Sequence, residues 1–164
     1  MIIKYRPEID GLRALAIFFV ISYHSKLNFN GNFFFEGGFL GVDVFFVISG
    51  YLIGKILLNE FERFGTINLK NFYEKRFRRI FPALLFTIFI TTLLSIFILI
   101  PEQLVEFSKS FFASLVFYSN FFFYFIGQEY GAGSSLIKPL IHTWSLSVEE
   151  QFYILFPLTL LIIY

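Results

Sequence analysis

Apolar residues in this chain gather into five runs, at residues 9–27, 39–58, 80–100, 111–126 and 146–164. A helix needs about 20 mostly apolar residues to cross the hydrocarbon of a bilayer, and each run approaches that length. Together the runs take up somewhat more than half of the chain. The pattern predicts an all-α integral membrane protein, a polytopic helical bundle of about five transmembrane helices with residues 1–164 forming one membrane domain.

Charge placement orients these runs. Seven of the 13 Lys and Arg residues, Lys55, Arg63, Lys70, Lys75, Arg76, Arg78 and Arg79, lie at the end of the second run or between it and the third. Cytoplasmic loops carry the excess of basic residues, so that loop and the N-terminus are expected in the cytoplasm. An odd number of crossings then leaves Tyr164 near the outer face. Lys4 and Arg6 before an apolar stretch resemble the start of a secretory signal. Glu8 and Asp10 interrupt that basic region and no small-x-small cleavage site follows, so the first run reads as a retained span.

The third run is free of charge, with Pro82 expected in its first helical turn and Pro101 at its close. It reads as scaffold. Three other runs carry ionisable groups within or at their edges: Arg13 and His24, Asp43 and Lys55, Glu149 and Glu150. Such a group near the bilayer centre costs about 2.5 to 3.5 kcal/mol, so it should face protein rather than lipid. Gly37 with Gly41 and Gly50 with Gly54 are spaced for close helix approach. Asp43, Val47, Gly50 and Gly54 share helical spacing, which predicts that the Asp43 face packs against other helices. No repeat of fixed period is present, and the one Gly/Ser-rich stretch is 131–135.

Composition narrows the classes. The chain is 57% hydrophobic with a mean hydropathy of +0.72, 27 Phe and only 15% charged residues, against about 25% charged in soluble domains. Net charge is +1 with no basic stripe, which excludes nucleic acid as a partner. Cysteine is absent, removing disulfides, thiolate nucleophiles and Cys-type metal sites. No metal is expected.

Three places carry candidate chemistry. Arg13 and His24, eleven positions apart, share one helical face about 16 Å apart along the axis. The imidazole of His24 can accept a proton, as a base acting on a hydroxyl must; as a residue at a span's end it serves equally as an interfacial cap, and Arg13 as a snorkelling cation. Arg76 and Arg79, three apart, present two guanidiniums suited to a phosphate, or else only fix topology. The stretch from His142 to Tyr153 packs Trp144, Ser145, Ser147, Glu149 and Glu150 together at a span entrance. A capping box with acids at the helix start accounts for the serines and carboxylates, but not for His142 and Trp144.

Four ordered blocks resemble the acyltransferase 3 family of bacterial membrane O-acyltransferases: Arg6-Pro7-Glu8-Ile9-Asp10-Gly11-Leu12-Arg13-Ala14; the block from Gly38 through Asp43 and Gly50 to Ile53; the block from Phe72 to Pro82 with its Arg-x-x-Arg; and the block from Pro139 to Tyr153. The resemblance runs almost end to end. It implies an enzyme of the bacterial inner membrane that moves an acyl group, usually acetyl, from acyl-coenzyme A to a hydroxyl of a cell-envelope saccharide such as lipopolysaccharide O-antigen. Acyl-CoA is then a donor substrate, and no cofactor is bound permanently. Functional roles are implied for Arg13, His24, Asp43, Arg76, Arg79, Ser147 and Glu150. Family members have more spans than this chain, so the chain is expected to be a truncated, N-terminal portion whose partner is the missing C-terminal half.

On this reading His24 is the general base and Asp43 accepts the imidazole's other N–H. Arg76 and Arg79 hold the donor's phosphates, with Arg13 as a further cation, and Ser147 and Glu150 complete the pocket. Two alternatives stand beside it: a transporter or permease subunit, since intramembrane charges also mark substrate pathways, and an inactive fragment of the acyltransferase.

Overall fold

The computed structural model describes residues 6–26, 28–29, 32–33, 35–128 and 137–163. The Gly/Ser-rich stretch 131–135 and Tyr164 lie outside the described residues. The elements run α1 (Pro7–His24), a two-stranded ladder of β1 (Asn28–Phe29) and β2 (Asn32–Phe33), a 3-10 turn (Glu36–Phe39), α2 (Leu40–Phe64), α3 (Leu69–Ile98), α4 (Pro101–Leu115), α5 (Ser119–Gln128) and α6 (Thr143–Ile163). The ladder pairs Asn28 with Phe33 and Phe29 with Asn32, antiparallel. Among the described residues three stretches are long and apolar enough to cross a membrane: Glu36–Phe64, Leu69–Ile98 and Thr143–Ile163. The all-α membrane class therefore stands. The helix α1 adds 18 residues, about 27 Å by helical rise, with Glu8, Asp10 and Arg13 in its first two turns.

The chain divides into two compact units, residues 1–67 and 68–164. In the first, α1 starts on Pro7, where a missing N–H costs nothing, and lies antiparallel to α2. The register is fixed at three points. Arg6 reaches Tyr51, the Ala16 backbone meets Gly41, and the Phe19 backbone meets Gly38. A Cβ on Gly38 would stand 2.3 Å from the Phe19 carbonyl oxygen, and one on Gly41 would stand 2.5 Å from that of Ala16. Only glycine permits this approach. Two expectations are corrected here. Gly37 and Gly50 have nothing within 4 Å of a built Cβ, so the contact pair is Gly38 and Gly41. The face of α2 buried in this unit carries Gly41, Ile48, Ser49, Ile53 and Leu57; Asp43 is exposed and Val47 is 72% exposed, so the Asp43 face is the open one.

In the second unit, Asn68 caps α3 by accepting from the Asn71 N–H at 3.0 Å. The cationic block and the third apolar run are one continuous helix of 30 residues, so Pro82 lies inside α3 and not in its first turn. Pro101 begins α4, which folds back on α3 around Leu84, Ile88, Phe107 and Leu140.

The fourth apolar run does not form one span. It breaks after Leu115, where Phe117 takes a positive φ of 53°, and its carbonyl accepts from Gln151 Nε2 at 2.8 Å. The helix α5 then returns along α4, bringing Phe123 beside Phe107 and Ser110. Lys138 closes the hairpin by pairing with Glu106 at 3.1 Å. Apolar length alone did not reveal this break, because the groups that stabilise it are side chains from α6.

The direction of α6 follows from its contacts with α3. Leu146 packs on the Leu84 and Ile88 cluster, whereas Ile154 and Tyr153 meet Tyr73 and Arg76. Ascending α6 thus descends α3, and Ile163 lies toward the side where α3 begins. Within this unit α6 therefore does not end opposite the start of α3.

Candidate functional site

The seven residues singled out in the sequence divide between the units. In the first, Arg13 pairs with Asp10 at 3.5 Å, one turn earlier on α1. The α1–α2 register sets Asp43 level with Ala14, beside Arg13. His24 is then about ten residues further along, about 15 Å by helical rise. The dyad of His24 and Asp43 is therefore not formed: the 3-10 turn, with Gly38 against Phe19 and Tyr23, lies beside the last turns of α1, so that α2 begins only about level with Ala16. The His24 ring instead stands edge-on to Tyr23, centroids 5.2 Å apart.

The second unit gathers its residues. Arg76 is half-buried, with its guanidinium carbon 5.2 Å from the Tyr153 ring centroid and 5.7 Å from that of Phe72. A flat, weakly hydrated guanidinium is suited to such ring faces. The Tyr153 hydroxyl donates to Glu149 one turn earlier, and the Tyr73 hydroxyl donates to the Ile154 carbonyl at 3.1 Å. Arg76 is attracted by Glu149 and Glu150 and repelled by Arg79. Glu150 Oε1 is shielded and has no hydrogen-bond donor among the described residues. Arg79, one turn from Arg76, is exposed. The helix start of α3 and the middle of α6 thus hold two cations, two carboxylates and a phenol together.

Ser147 faces the other way. It is 1% exposed and sits in a chain of hydroxyls: Ser114 with Thr143 at 2.8 Å, Thr143 with Ser119 at 2.9 Å, and Ser119 with Ser147 at 2.7 Å. Gln151, one turn on, exchanges two hydrogen bonds with Asn120 at 3.1 and 3.0 Å. This network ties the ends of α4 and α5 to α6, and it sets the rotation of α6 that turns Glu149 and Tyr153 toward Arg76. Ser114, Ser119 and Thr143 were not singled out in the sequence. For Ser114 and Ser119 the signal was present only as hydroxyl residues in an apolar run, and for Thr143 as a hydroxyl residue just before one; such residues often bridge helices in membrane proteins.

The arrangement near Arg76 offers an anion a guanidinium set against two aromatic rings, with two carboxylates close by. The shielded Glu150 oxygen offers an acceptor to a hydroxyl or an N–H. Comparison with known proteins bears on what uses these groups. The chain is 45% identical over 159 residues to the peptidoglycan O-acetyltransferase OatA of Listeria monocytogenes, covering 97% of this chain and 25% of that protein. It is 40% identical over 157 residues to the O-acetyltransferase OatA of Staphylococcus aureus, covering 96% of this chain and 25% of that protein. The chain thus spans about a quarter of the length of these relatives. No solved structure matches. The model of the acyltransferase domain family matches residues 6–164, almost the whole chain, and this chain belongs to the acyltransferase 3 family.

Proposed function

We propose that this chain is the N-terminal membrane portion of an O-acetyltransferase that moves an acetyl group from acyl-coenzyme A to a sugar hydroxyl of peptidoglycan. The observation that carries the donor assignment is Arg76, held between Phe72 and Tyr153 beside Glu149, Glu150 and Arg79. Two guanidiniums one turn apart suit a ligand with several phosphates. The Listeria relative is named for peptidoglycan, which favours that acceptor over the O-antigen suggested by the family resemblance alone. Membership in an acyltransferase family leaves the permease reading without support.

In the proposed reaction the acceptor oxygen attacks the thioester carbonyl carbon. A C–O bond forms, the C–S bond breaks, and a base takes the proton that the acceptor loses and passes it to the departing thiolate. His24 takes that proton in our reading, without Asp43 as its partner. Basic residues concentrate near the start of α3, so the donor's phosphates engage on the cytoplasmic face of the bacterial inner membrane and the N-terminus is cytoplasmic. Arg13 stays with Asp10 as a cation of α1, and Ser147 supports the site by holding α6.

The test uses the full protein that carries this chain, reconstituted with acetyl-CoA and a muropeptide acceptor. Acetyl ester should form on the sugar, and R76K/R79K should raise the apparent KM for donor about tenfold while leaving that for acceptor unchanged, because Lys keeps charge but not the fork. An unchanged donor KM makes the pair a topology signal only, and failure to acetylate any saccharide ends the proposal.

A further inference from the structure

We propose that Arg6, Tyr51 and Lys55 form a second site, for a phosphate group, at the end of the α1–α2 pair where α1 begins. Arg6 Nη1 donates to the Tyr51 hydroxyl oxygen at 3.0 Å, and Lys55 Nζ approaches the same oxygen at 3.4 Å. The Lys55 ammonium also lies 5.7 Å from the Tyr51 ring centroid. Two cations from different elements therefore converge on one neutral oxygen, no more than about 6.4 Å apart, where their repulsion is unfavourable.

Two long basic side chains at a membrane interface gain most by extending separately into water and headgroups. Here they meet instead. Glu8 offsets only one of them, through Arg6 Nε, and Lys55 has no ion pair among the described residues. The Tyr51 oxygen accepts twice, yet its own O–H has no acceptor among those residues. Arg6 and Lys55 thus share one phenol oxygen as acceptor while the phenol O–H has none among the described residues, so a guanidinium, an ammonium and a phenol meet at one exposed place. A tetrahedral oxyanion supplies what is missing, with one oxygen for each donor and charge to balance the second cation. The Arg6 side chain and Tyr51 are each 46% exposed, so the place is open to a ligand.

The phosphate has two sources, an anionic lipid headgroup or the phosphates of a soluble nucleotide-bearing thiol such as coenzyme A. The experiment separates them. The full protein that carries this chain, in phosphatidylcholine nanodiscs and on an R76Q/R79Q background that removes both guanidiniums of the donor site proposed above, is titrated in one arm with coenzyme A. In the other arm phosphatidylglycerol is introduced, and the lipid retained is read by native mass spectrometry. Each cation near an anionic surface is worth about fivefold in affinity, so K55Q should weaken binding about fivefold and R6Q/K55Q about 25-fold. Y51F should weaken it by a smaller factor, and R6K/K55R should retain most of it.

Glu8 competes for Arg6, so E8Q should tighten binding; this variant gains function and does not depend on a damaged fold. Phosphatidylglycerol retention that follows these variants identifies a lipid site, and coenzyme A binding that follows them identifies a nucleotide-phosphate site. Binding of neither probe, or binding of either that ignores K55Q and E8Q, overturns the proposal.

Discussion

The two units solve the same problem in different ways. A bilayer offers little hydrophobic drive for helices to associate, so contact must come from close packing or from polar groups. The first unit uses close packing: Gly38 and Gly41 let α1 lie directly on the backbone of the turn and of α2. Its candidate residues are consequently strung along the pair, with His24 and Asp43 far apart. The second unit uses hydroxyls and amides, from Ser114 through Thr143 and Ser119 to Ser147, with Asn120 and Gln151 beside them. Those bonds fix rotation as well as distance. They gather Arg76, Glu149, Glu150 and Tyr153 in one place. Glycine contact sets how near two helices come, whereas a directional network also sets which side chains meet.

The sharpest test of this difference concerns coupling. In the complete enzyme His24→Ala should lose about 10² to 10⁴ in rate, the usual contribution of a general base. If Asp43→Asn also lowers the rate, the two losses should multiply, because residues this far apart without shared partners act independently. Acetyl transfer at matched membrane levels decides it. A double variant no worse than His24→Ala alone would show a coupled pair, and the α1–α2 register would have to shift to bring them together.

Smaller in effect is the packing of the first unit. Gly41→Ala places a Cβ where the Ala16 carbonyl oxygen and Val20 Cγ2 already stand, the latter 2.8 Å away. Overpacking of this kind costs about 1 to 3 kcal/mol, to be read from denaturation in mixed micelles. Gly50→Ala meets nothing within 4 Å and should stabilise by about 0.5 to 1 kcal/mol through helix propensity. Equal effects at the two positions would remove the argument for glycine packing.

The smallest expected change is in the network of the second unit. Ser119→Ala or Ser147→Ala should each cost about 1 kcal/mol, the low end for leaving a buried hydrogen-bonding partner unpaired. The double variant should cost less than the two combined, because they share a bond of 2.7 Å. Activity should fall along with stability, since α6 loses the contact that orients Glu149 and Tyr153. Stability lost without any change in donor KM would separate the network from the site.

Much of this molecule was legible in its sequence because it depends on composition and on local spacing. The apolar runs required membrane helices, since a helix satisfies its backbone within one continuous apolar segment, whereas the other structure that lipid allows, a closed barrel, needs strands of alternating polarity. The spacing of Arg76 and Arg79, the link between Glu149 and Tyr153 one turn apart, and the blocks that resemble the acyltransferase 3 family were readable for the same reason: they lie within single helices.

Tertiary structure decided the rest. Whether 111–126 crosses the membrane depended on Gln151 and Ser147, more than twenty residues away, stabilising a break that apolar length does not encode. Which glycines make contact depended on how the 3-10 turn and α2 are offset against α1, because Gly37 and Gly38 differ by one position and therefore by about 120° of rotation in that turn. The separation of His24 from Asp43 followed from that same offset, and so did the meeting of Arg6 with Lys55. Sequence determines which face each helix presents; only the register between helices, set by contacts distant in the chain, determines which residues share a site.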